Sequence, residues 1–179
     1  MAVPYRKTPR ATAMGLAAFI DVVWLEPDHS LYAGLLIIDA IGQPVEFVHN
    51  VAVAPQGILW DSASSVKLGT PRLVHSLFDT CRREPDLLVA LPTLGDGDFI
   101  NAEIAPAVPF AQVTPAQDGL PAEWTWVNTP PASGMRASFV AAELERRGLF
   151  IEPFARLREA MHIVYPQATW HALDVFDGD

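Results

Sequence analysis

Two apolar runs near the start of the chain, residues 19–25 and 31–38, are dense in Val, Ile, Leu and aromatic residues, and the breakers around them leave no room for buried helices. Between them Glu26-Pro27-Asp28-His29-Ser30 has the composition of a turn. Its proline pre-sets one corner, and its Asp and Ser can bond their own backbone. A second break, Asp39-Ala40-Ile41-Gly42-Gln43-Pro44, precedes a third run over residues 45–53. The pattern predicts a three-stranded antiparallel meander. In the first strand Phe19, Asp21, Val23 and Leu25 share one side and Ile20, Val22 and Trp24 the other, so both faces are apolar and the strand is central. The third run mixes Glu46, His49 and Asn50 with apolar residues, a pattern that belongs nearer an edge.

Residues 54–69 read as a connector anchored by Ile58, Leu59 and Trp60. A helix then starts with Thr70 as cap and Pro71 in the first turn, where a missing N–H costs nothing. Leu73, Val74, Leu77, Phe78 and Cys81 form its apolar stripe, Arg82 and Arg83 its last turn, and Pro85 its end. Residues 86–91 (DLLVAL) read as a buried strand reached by a crossover from that helix. Residues 104–113 are weakly extended and broken by proline, and residues 122–128, with Trp124 and Trp126 two apart, predict a further strand. Residues 138–147 form a helix closed by Gly148. A second helix opens at Glu152-Pro153, carries Phe154, Leu157 and Met161 and ends before Pro166, so the two make a helical hairpin. Residues 169–176 read as a short final strand. The expected fold is α+β, in a single domain over residues 1–179, with residues 1–15 a loosely packed arm and 177–179 a frayed tail.

Charged residues make up 18% of the chain and the formal charge is −9, a balance opposed to a protein that works mainly by gripping phosphates. Ten of the twelve basic residues are arginine, which reads with the abundant alanine and proline as bacterial genome bias. The single cysteine, Cys81, excludes an internal disulfide and fits a reducing, cytoplasmic setting. No run reaches membrane-spanning length.

Phosphate-loop, dinucleotide-fingerprint, HExxH and GxSxG motifs are all absent, and no two histidines are four residues apart, so no metal site is expected from them. What remains is a set of carboxylates: Asp21 in the first strand, Asp39 and Glu46 flanking the second turn, and Asp96 and Asp98 in the loop after the fourth strand. A meander followed by a helix and a buried strand resembles, in order of elements, the opening of the ribonuclease H-like fold. That resemblance implies two Mg²⁺ ions held by acids from the first strand and from the end of the fourth. Here Leu91-Pro92-Thr93 stands where the second acid belongs. Asp39 also reads as an ordinary turn former, Asp96-Gly97-Asp98 as a solvated turn, and Cys81, on an apolar stripe, as an inert thiol.

Three readings of function follow. The first is a non-enzymatic accessory or scaffolding subunit with no cofactor, acting through a protein partner or self-association, with nucleic acid unlikely as sole ligand. Its contact surface would be the helical hairpin, with Phe150 and Phe154 as anchors and Arg146, Arg147, Arg156 and Arg158 as a basic rim. The alternative is a Mg²⁺-dependent nuclease of ribonuclease H-like topology, or a degenerate, inactive relative of one. A small-ligand sensor using Trp60, Trp124 or Trp126 is a third.

Overall fold

The structure, a computed structural model, describes residues 14–25, 28–53, 62–94, 97, 99–116, 122–168 and 170. β1 (Leu16–Leu25), β2 (Ser30–Asp39) and β3 (Pro44–Val53) form the antiparallel meander that the turns predict. The second turn is built by Asp39, whose Oδ1 accepts the backbone N–H groups of Ile41 (3.0 Å) and Gln43 (2.9 Å), while Gly42 supplies a φ of 88°. β4 (Leu87–Ala90) then lies parallel to β1, β5 (Phe110–Thr114) parallel to β4, and β6 (Glu123–Trp126) antiparallel to β5. The result is a mixed six-stranded sheet in the order β3-β2-β1-β4-β5-β6, so the fold is α+β as expected and β1 is interior. No helix among the described residues is long and apolar enough to cross a membrane.

Among the described residues three α-helices cover the sheet, α1 (Ser62–Thr80) on one face and α2 (Arg136–Arg146) with α3 (Glu152–Val164) on the other. The alternation along β1 and β4 divides their side chains accordingly. Ala18, Ile20, Leu88 and Ala90 meet Leu73, Val74 and Leu77 of α1, whereas Ala17, Phe19, Leu87 and Val89 meet Val140, Leu144, Phe154 and Leu157 of α2 and α3. The strongest strand residues thus belong to two cores, one per face, because successive positions on a strand cannot share a side.

Helix α1 begins eight residues before the expected Thr70 cap, with Pro71 inside it. Tertiary packing overrides the local signal. Val66 packs against the core and Ser65 is buried, and a Cβ at Gly69 would come within 2.5 Å of Leu31 Cδ1, so the glycine lets the helix lie close on β2. The helix also ends at Thr80, which leaves Arg82 and Arg83 beyond it. At the other end of the chain Gly148 takes a φ of 67° after α2, the left-handed closure its position predicts. The N-terminal arm up to residue 13, the anchor Ile58, Leu59 and Trp60, Asp96 and Asp98, and the final strand and tail lie outside the described residues.

Candidate functional site

Asp21 stands in the middle of β1, opposite Gly34 of β2, and points to the face covered by α3. Gly34 determines how close that helix comes, since a Cβ there would lie 2.7 Å from Leu157 Cδ1 and 2.9 Å from Met161 Sδ. With α3 held so near the sheet, Arg158 donates from Nε to Asp21 Oδ2 at 2.6 Å. The pair is shut off from water, with side-chain exposures of 12% for Arg158 and 1% for Asp21. Burial pushes the Asp21 carboxyl above its ordinary value, and the charge and hydrogen bond of Arg158 pull it back only part of the way.

The other carboxylates do not converge on it. Asp39, buried at the β2–β3 turn, has the turn N–H groups on its Oδ1. Glu46 faces the end of α1, where its Oε1 accepts the Arg82 backbone N–H at 3.0 Å and its Oε2 meets Cys81 Sγ at 3.7 Å. Asp39 and Glu46 do not face each other: Glu46 pairs with Ile37, and a register shift follows. Among the described residues no three His, Cys, Asp or Glu side chains are placed to hold a metal ion. The Cys81 thiol, pushed up by burial, also donates to the carbonyl of Arg83 at 3.1 Å and reads as inert.

The helical hairpin departs from its expected role as a contact surface. Phe154 is wholly buried, edge-on to Phe19 with centroids 5.1 Å apart, and so cannot anchor a partner. Phe150 packs edge-on against Trp124, which stacks on Trp126. The basic rim is consumed internally. Arg146 and Arg147 both hold Glu143, whose carboxyl they keep down to about 2, Arg156 bonds Glu152 and the carbonyl of Gly42, and Arg158 holds Asp21. Phe139 and Ile163, 46% and 73% exposed, are apolar side chains the hairpin leaves at the surface.

Sequence reasoning counted Asp21 and Arg158 as candidates for separate roles, 137 residues apart, and missed that they are partners. The signal was present in α3: Arg158 lies four residues after Phe154 and three before Met161, inside the buried stripe.

No protein-family model and no curated protein matches the chain. The chain is similar to solved structures of endonuclease V. That from Bacillus subtilis is 15% identical with a TM-score of 0.42, over 61% of this chain and 49% of the other. That from Streptomyces avermitilis is 15% identical with a TM-score of 0.41, over 55% and 45%. The protein thus spans about half the length of each. A third, from Ciona intestinalis, was solved in complex with a 24mer DNA containing an inosine followed by a ribo-adenosine. It is 9% identical with a TM-score of 0.38, over 74% and 54%. A second Ciona intestinalis structure, of a variant form, was likewise solved with DNA, so the DNA-bound neighbours stand against the expectation of a protein partner or self-association with nucleic acid unlikely as sole ligand.

Proposed function

We propose that the chain is a degenerate, catalytically inactive relative of the ribonuclease H-like nucleases. It keeps the meander, the parallel fourth strand and the first-strand aspartate, and it has given up metal-dependent cleavage. The observation that carries this reading is the Asp21–Arg158 pair. Mg²⁺ dehydrates reluctantly and keeps several waters when carboxylates bind it. A carboxylate with 1% exposure and a guanidinium on its Oδ2 leaves no room for such an ion. The described residues therefore do not fit the two-metal centre that the strand order implies, and no catalytic step is derived through it. Leu91 and Pro92, where the fourth strand would supply a second acid, agree with the same loss.

Nucleic acid, held without being cut, is the ligand class this reading implies. The test incubates the full chain with end-labelled single- and double-stranded DNA, RNA and an inosine-containing duplex, each with Mg²⁺ and with Mn²⁺. No cleavage is expected. Metal-dependent product that disappears in Asp21→Asn overturns the proposal. Fluorescence anisotropy on the same strands at low salt reads binding separately, and a flat titration on all of them removes nucleic acid from the reading.

A further inference from the structure

A cavity of about 510 Å³ opens where α1 crosses the ends of β2 and β3. Its walls are mainly apolar, with Leu31 from β2, Ala52 and Val53 from β3, and Leu68 and Leu73 from α1. Leu68, 55% exposed, lines this opening from the helix side. The close approach of Gly69 to Leu31 seals α1 against β2 on the inner side.

The polar groups of the wall differ in what they have left to offer. Asn50 donates to Ser76 Oγ at 2.8 Å, and Ser76 donates in turn to the Leu73 carbonyl at 2.7 Å, so these side chains bond within the wall. Arg72 is the one charged side chain among the described residues that line the cavity, and among the described residues it makes no ion pair. On the opposite face of the sheet Arg136, Arg146, Arg147, Arg156 and Arg158 each hold a carboxylate. A cation with no ion pair among the described residues, at the edge of an apolar cavity of ordinary ligand size, about 300–1,000 Å³, calls for an anion attached to something apolar.

We propose that this cavity is a binding site for a small molecule with an apolar body and one anionic head, a class that includes aromatic and short acyl carboxylates and sulfonates. The head pairs with Arg72 while the body displaces water from Leu31, Ala52 and Leu68. The inference goes beyond the nuclease-like reading and does not rest on it.

The experiment titrates the full chain with 8-anilinonaphthalene-1-sulfonate, followed by its fluorescence, and with the neutral N-phenyl-1-naphthylamine as its uncharged counterpart. Wild type should bind the sulfonate saturably at one site. Arg72→Gln should weaken it about tenfold or more, the scale of a lost charged hydrogen bond, and leave the neutral probe unchanged. Ala52→Trp, which fills the cavity from β3, should abolish binding of both. Circular dichroism and the urea midpoint check that each variant is folded. Absence of saturable binding to wild type overturns the proposal, as does binding that neither substitution alters. Binding that appears only after Ile58, Leu59 and Trp60 are changed to Ser also overturns it, because the occupant is then the chain's own connector.

Discussion

Removing Arg158 should cost far more than its place on a helix near the surface suggests. At an effective dielectric constant of about 20, two unit charges about 4 Å apart attract by about 4 kcal/mol, and Asp21 with 1% exposure has no water to replace that attraction. Arg158→Met therefore leaves a buried carboxylate uncompensated, and the expected loss is about 3–5 kcal/mol. With a urea dependence of about 2 kcal/mol per molar, the unfolding midpoint should fall by about 1.5–2.5 M. The pair itself need not be net stabilising, because desolvation already outweighs the help of Arg158 in setting the Asp21 pKa. The double variant Asp21→Leu with Arg158→Met should return to wild-type stability, or exceed it by about 1–4 kcal/mol. The sign of the pH effect follows from the raised pKa. The folded state takes the Asp21 proton more readily than the unfolded chain does, so the cost of this carboxyl is absent at low pH and sets in as pH rises through the folded pKa. Without Arg158 the folded pKa rises further, so the Arg158→Met deficit should shrink between about pH 8 and about pH 4. The assay is equilibrium urea unfolding of the two single variants, the double variant and wild type at both pH values. An Arg158→Met midpoint equal to wild type, or strictly additive single and double effects, would refute the reasoning.

Other expectations follow from packing and titration. Leu88, fully buried against α1, should cost about 2–5 kcal/mol when changed to Ala, read by the same urea unfolding. Gly34→Ala pushes a methyl group into Leu157 and Met161 and should cost about 1–3 kcal/mol, because α3 must retreat from the sheet; a neutral effect would mean that Met161 simply swings away. Cys81 should react with an aromatic disulfide at neutral pH much more slowly in the folded chain than in urea, since burial raises its pKa. Glu143, followed by NMR, should stay ionised down to a pKa of about 2 and move back toward 4.5 in Arg146→Gln, the substitution that removes its foremost hydrogen-bond donor.

The meander was readable because its turns carry their own chemistry. Asp39 and Gly42 close the β2–β3 turn through local bonds and a positive φ, features set by residues a few positions apart. Gly148 marked the end of α2 in the same way. The start of α1 was not readable, since Pro71 and Gly69 oppose a helix locally and only the contact with Leu31 and the core shows why one forms. How the apolar residues of β1 divide between cores was not readable, because its two faces look alike until helices are assigned to each side. The candidate site suffered most from sequence separation. Asp21 was picked out as an acid in an apolar strand and Arg158 as part of a basic surface, and nothing local to either names the other. The stripe of Phe154, Leu157 and Met161 placed Arg158 on the buried face of α3, and that periodicity was the legible half of the answer.

The most direct test of the claim that Arg158 stands in for metal at Asp21 is a Mn²⁺ titration of the wild-type chain, with free ion followed by electron paramagnetic resonance. The free-ion signal should rise in proportion to added Mn²⁺ through the millimolar range, with no saturable component, in wild type and in Asp21→Asn alike. Saturable binding to wild type that Asp21→Asn removes would place a metal where the account has a guanidinium, and would contradict it.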